Sequence, residues 1–211
     1  MQSKKSAHPK QQGQSLVETL FVMFVLAVMC GVVASSMRWM QQKIQIQTAA
    51  EDLLNAVLTA RTEALRREKR VTLCVAEPLQ NQAKLSATEF ASSLPNRCHL
   101  GTGKTDNTAA SWQQGWLMFV DDNSNGIWDP GEDLLQQHPA LGSVVSATGN
   151  STVTRFVSFG ANGRSLVLNG GFQAGKITFC EHLTQASSGW LLIINAIGRP
   201  RLEKAEVPIC L

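Results

Sequence analysis

The 211 residues carry 19 lysines and arginines against 16 aspartates and glutamates, with five cysteines and no tyrosine, enough chain for one anchor helix and one domain of ordinary size. Lys4, Lys5 and Lys10 lie in the first 13 residues, and without them 16 basic side chains face 16 acidic ones. A diffuse basic surface is thereby excluded, and any nucleic-acid contact has to come from a local patch.

The basic leader, residues 1–13, ends in Gly13. Gln14-Ser15-Leu16-Val17-Glu18 follows, and then an uncharged apolar run from Thr19 to Met37. That run is long enough for a membrane helix and long for the apolar part of an ordinary signal peptide. Cleavage at the small residues near Val33 and Ser35 would release a soluble product, and lipidation of Cys30 would require a small residue where Met29 stands. A glycine junction with a glutamate five residues on resembles the processing site of type IV prepilins. The resemblance implies that a prepilin peptidase cuts between Gly13 and Gln14 on the cytoplasmic side, where the three lysines hold the leader. Glu18 then becomes the fifth mature residue and, as in that family, an assembly group that meets the N-terminal amine of a neighbouring subunit. A carboxylate at that depth is costly in lipid unless paired. Gln14 and Thr19 depart from the phenylalanine and leucine usual at those places.

Residues 14–37 are therefore expected to form the transmembrane half of one long helix, and residues 38–70 its amphipathic half. Ile46, Ala50, Leu53, Leu54, Val57, Leu58, Ala64 and Leu65 recur at three and four residues, opposite Glu51, Asp52, Arg61, Glu63, Arg66 and Arg67. Such a stripe docks on a sheet. No proline interrupts residues 14–70.

After Arg70 the period becomes that of strands, expected at residues 71–76, 115–120, 152–159, 165–168, 176–180 and 190–195. Residues 77–111 read as a long variable loop with a short helix around 87–92. Cys74, Cys98, Cys180 and Cys210 fall in the exported part, an even number that suggests two disulfides; the pairs nearest in sequence, Cys74 with Cys98 and Cys180 with Cys210, are favoured among the three pairings. Zinc spacing is lacking. The fold class is α+β, a long N-terminal helix on a mostly antiparallel β domain covering residues 71–211.

Ala60-Arg61-Thr62-Glu63-Ala64, Arg70-Val71-Thr72-Leu73-Cys74, Gly115-Trp116 with Phe119-Val120-Asp121, and the terminal Gly198-Arg199-Pro200-Arg201 resemble the FimT/GspH group of minor pilins and pseudopilins. The resemblance spans nearly the whole mature chain and implies a type IV pilin-like fold, other pilin subunits and inner-membrane lipid as partners, and a periplasmic domain that becomes extracellular in a pilus. Some pilus members bind DNA through a Gly-Arg-x-Arg motif and assist natural transformation. Here the matching residues are Gly198, Arg199 and Arg201. Guanidinium groups fork onto phosphates, Gly198 permits an unusual turn and Pro200 fixes φ. Lys204 lies close in sequence, with Arg164 and Lys176 as further candidates if the fold gathers them, while Glu203 and Glu206 oppose binding. The rival readings are a structural pseudopilin of type II secretion and a pilin for priming or adhesion.

Oxygen-bearing residues at Asp121, Asn123, Asn125 and Glu132 match the spacing of a calcium loop. The flanks decide against it, because residues 116–120 read as a strand and Pro130-Gly131 breaks an exiting helix, so the string reads as a hairpin turn. His8, His99, His138 and His182 are scattered and no catalytic spacing occurs. Trp112, Trp116, Trp128 and Trp190 read as packing residues. No metal, cofactor or enzymatic activity is expected.

Overall fold

In a computed structural model, residues 15–77, 97–99, 110–181 and 185–210 are described. The expected helix near 87–92 and the junction between Gly13 and Gln14 lie outside them. Helix α1 is Leu16–Arg67, with Glu18 in its first turn and Arg66 and Arg67 in its last, signs of charge that complement the helix dipole. Glu68, at φ 54°, takes the left-handed conformation that ends it.

The chain divides at Gln41/Gln42 into two compact units. In the first, the described side chains from Leu16 to Gly31 are exposed, among them Leu20, Phe21, Phe24 and Leu26. No helix among the described residues is long and apolar enough to cross a membrane.

The second unit has its own core. From Ile46 onward α1 buries Ile46, Ala49, Ala50, Leu53, Ala56, Val57, Ala60 and Ala64 in one cluster with both sheets. Small side chains on the contact face let the helix sit close to its neighbours. Leu58 and Leu65, expected in the stripe, are instead exposed.

Among the described residues eight strands follow: β1 Val71–Val75, β2 Trp116–Val120, β3 Leu134–His138, β4 Val145–Gly149, β5 Phe156–Phe159, β6 Gly175–Glu181, β7 Gln185–Ile194 and β8 Pro200–Ile209. They form two four-stranded sheets, β3-β2-β1-β5 and β4-β6-β7-β8, and their pairings are antiparallel. β1 is central and buried on both faces: Val71, Leu73 and Val75 point into the main core, while Cys74 joins Leu117, Phe119 and Cys98 in a second cluster.

The strands depart from those expected in three places. β3, β4 and β8 were not expected; β3 and β4 form two of the sheet edges and β8 another, where burial leaves little period-two signal or charge breaks it. Residues 151–153 are a 3-10 turn, so only Phe156–Phe159 of the expected strand pairs. Residues 165–168 reduce to isolated bridges from Phe159 to Ser165 and from Leu166 to Phe172. The string from Asp121 to Glu132, expected as a hairpin turn, joins β2 to β3, which pair antiparallel.

Cys74 is bonded to Cys98, and Cys180 to Cys210, with Cα atoms 5.6 and 5.9 Å apart. Cys30 is free and exposed.

Candidate nucleic-acid interface

The Gly-Arg-x-Arg segment closes the β7–β8 hairpin. Ile194 pairs with Pro200 and Ile193 with Arg201, leaving residues 195–199 as the connection. Asn195 shapes it: its carbonyl accepts from the Gly198 N–H at 2.9 Å, and its side-chain oxygen accepts from the Arg199 N–H at 2.8 Å. Gly198 has φ 76°, a conformation in which a side chain is strained.

Gly198 is also where the turn is held to the rest of the domain. A Cβ there would collide with the carbonyl oxygen of Gly163 and press on the ring of Phe159. That same Gly163 carbonyl accepts a 3.1 Å hydrogen bond from Arg61 Nε on α1. Helix, the 160–164 turn and the arginine-bearing turn thus pack in sequence. Arg61 and Gly163 carried no sequence signal for this role, because they lie 102 positions apart in the chain.

Both arginines were expected on one loop after the last strand; instead β8 is the last strand, so Arg199 ends the turn and Arg201 is within the strand. Successive strand residues alternate faces, which puts Arg201 and Glu203 on one face of β8, with Arg199 in the turn just before it. All three are exposed. Arg201 Nε pairs with Glu203 Oε1 at 2.9 Å, with the two side chains 66% and 47% exposed, so the pair is screened and weak. Lys204, directly opposite Trp190, is on the other face and does not join them. Arg164 follows Gly163, but its guanidinium carbon lies 5.7 Å over the ring of Phe172. Lys176, on β6, is exposed.

The Cys180–Cys210 bond does not brace this turn. Register counts outward from Pro200 along β8, and Cys210 lies past the opposite end of the strand, where it clusters with Cys180 and Val207. The disulfide fastens the open end of the hairpin and Gly198 secures the closed end.

The loop from Asp121 to Glu132 uses its oxygens internally. Asp121 is buried; it accepts from the N–H groups of Asn125 and Gly126 at 3.0 and 3.1 Å and from the Thr72 hydroxyl at 2.8 Å. The side-chain oxygens of Asn123 and Asn125 accept from the Asn125 and Ile127 N–H groups, and the Glu132 carboxylate from those of Asp122 and Asp129. The two asparagine bonds span two residues, as in Asx turns, while Glu132 reaches back across the loop to Asp122. Among the described residues no group of three or more histidines, cysteines or carboxylates is placed to hold a metal.

Trp112 and Trp116 are fully buried; Trp112 Nε1 donates to the Val153 carbonyl at 2.9 Å, and Trp116 stacks on His138 with centroids 3.9 Å apart. Gln173, not singled out from sequence, is a buried hub. Its amide nitrogen donates to the carbonyls of Thr152 and Phe156, and its oxygen accepts from the Ser158 N–H.

Comparison with known proteins adds a lineage. Residues 49–198 match the model of the family described as type II transport protein GspH. The chain is 27% identical over 201 residues, 92% of its length and 99% of the relative's, to the pilin-like protein PilA1 of Thermus thermophilus. A crystal structure of the type IV minor pilin FimU of Pseudomonas aeruginosa superposes with a TM-score of 0.51 at 18% identity, covering 80% of this chain and 97% of that one.

Proposed function

Because this chain belongs to the family of the type II transport protein GspH and shares the fold of a type IV minor pilin, we propose that it is a minor type IV pilin that binds DNA without sequence preference during natural transformation. It acts as a structural and binding subunit, not as an enzyme. In this reading a prepilin peptidase removes residues 1–13, residues 14–37 anchor the subunit in the inner membrane with its domain in the periplasm, and Glu18 pairs with a neighbouring pilin on extraction into the pilus.

The observation that carries the DNA reading is that Arg199 and Arg201 are both exposed and lie together at the turn end of the β7–β8 hairpin, with their turn fixed by Gly198. Family membership does not carry it, since the matched residues end at Gly198. Guanidinium groups presented from a fixed turn reach phosphate oxygens without reading bases, which supports binding that is weak, non-specific and salt-sensitive. Lys204 is left out of the contact set because of the face it occupies.

A second reading, a type II secretion pseudopilin without DNA affinity, is favoured by the family's description as a transport protein. Replacing the chromosomal copy with Arg199→Gln/Arg201→Gln separates the two. The pilin reading expects DNA uptake to fall while surface pili remain; unchanged uptake together with impaired protein secretion points to the pseudopilus.

A further inference from the structure

We infer that Lys176 is a third DNA contact, and that the nucleic acid crosses the outer face of β8, β7 and β6 from the arginines toward Lys176 instead of running along β8. This rests on the DNA-binding reading above. Lys176 pairs in register with Ile193, and Ile193 with Arg201. Residues directly opposite one another share a sheet face, so Lys176, Ile193 and Arg201 form one row, its two ends about 10 Å apart at two strand spacings.

The row is well fixed. The Lys176 N–H donates to Asn150 Oδ1 at 2.7 Å and its carbonyl accepts from the Asn150 N–H at 3.0 Å. Among the described residues no carboxylate is paired with the Lys176 ammonium. Ile193 is half-buried between the two cations, an apolar floor on which a sugar or base edge can rest.

Charge along the same face decides the direction. The next row holds Thr178, Leu191 and Glu203, and beyond it lie Gly189 and Ala205, then the Cys180–Cys210 cluster with Val207. A polyanion following β8 would meet Glu203 one row past Arg201 and, among the described residues, find no cation further on. Crossing the sheet at the first row, it meets Arg201 and Lys176 with Arg199 beside them. Glu203, ion-paired to Arg201, marks the edge of the path and competes with phosphate for that guanidinium.

The test uses the full-length chain purified in neutral detergent and a fluorescent oligonucleotide of random sequence, with affinity measured from low to moderate salt. Lys176→Gln is expected to weaken binding by about three- to tenfold at low salt and to reduce the salt slope by about one, as for loss of one phosphate contact. Lys204→Gln makes the same charge change on the other face and is expected to stay near wild type, while Glu203→Gln is expected to tighten binding. Melting temperature confirms that each variant is folded. Wild-type affinity in Lys176→Gln, alongside loss in Arg199→Gln/Arg201→Gln, overturns the crossing path but leaves the arginine site standing. Equal losses in Lys176→Gln and Lys204→Gln also overturn it, as a mere net-charge effect. A wild-type chain that fails to bind at low salt removes the underlying DNA reading.

Discussion

Gly198 packs so closely on the backbone carbonyl of Gly163 that no side chain fits between them. The residue that shapes the arginine turn is also the one that fastens it to the domain. Gly198→Ala therefore strains a left-handed backbone, at about 1 to 2 kcal/mol, and forces the turn away from the 160–164 segment. Binding to DNA is expected to fall even though both arginines remain. Comparing the affinity and melting temperature of Gly198→Ala with those of wild type checks this; an unchanged affinity would show that the turn is held by something else.

The Cys180–Cys210 bond closes a loop with a sequence separation of 30. In the chain-entropy account such a loop contributes about 3 to 4 kcal/mol, and at this size each kcal/mol is worth about 2 to 4 °C. Cys180→Ser/Cys210→Ser is expected to melt on the order of 10 °C lower by that arithmetic. Because the bond lies at the far end of the hairpin from Arg199, DNA affinity below the melting range should persist. Loss of affinity in the folded double variant would mean that the disulfide does position the arginines.

Glu63 accepts hydrogen bonds from Arg66 and Arg67 at 2.6 and 2.7 Å, and these, Arg66 first, hold its pKa down to about 2 from an ordinary 4.5. Since the folded value lies below the unfolded one, the stabilisation is complete above pH 4.5 and disappears as the pH falls toward 2. Arg66 is well exposed, so solvent screening keeps the contribution small. Melting curves of wild type and Glu63→Gln should differ at pH 6 and converge as the acid limb is approached. A gap that stays constant with pH would assign the difference to packing.

What could be read from the sequence followed the strength of the local pattern. Helix α1 was legible because apolar residues recur over 50 positions without a proline, and the cysteine pairs were legible because only Cys74, Cys98, Cys180 and Cys210 lie beyond the apolar run. The helix's contact face was less so: Leu58 and Leu65 fit the period as well as Ala49, Ala56 and Ala60, and only the nearness of the sheets selects the alanines. β8 was hidden by Pro200 at its start and by Arg201, Glu203, Lys204 and Glu206 within it. That composition suits an edge strand, where proline's missing N–H and repeated charges are tolerated. The arginine motif was visible, but its support was not, since Arg61, Gly163 and Gly198 meet only through tertiary structure.

The proposal that a prepilin peptidase cuts this chain rests on Gly13 and Glu18. Mass spectrometry of the membrane-extracted protein is expected to show a mature chain that starts at Gln14, carrying an N-methyl group. A start near Ser36 would instead indicate ordinary signal cleavage and a soluble product.

The most direct test of the account is the affinity of the full-length chain for random-sequence DNA at low salt, measured for wild type and for Arg199→Gln/Arg201→Gln. Without the leader the chain is formally neutral, so no diffuse positive field is available to replace the two side chains. Each lost charged hydrogen bond costs about 1.5 to 3 kcal/mol, so the double variant should fall at least about a hundredfold in affinity, while melting as wild type does. A folded double variant that binds DNA as tightly as wild type would contradict the assignment of the site.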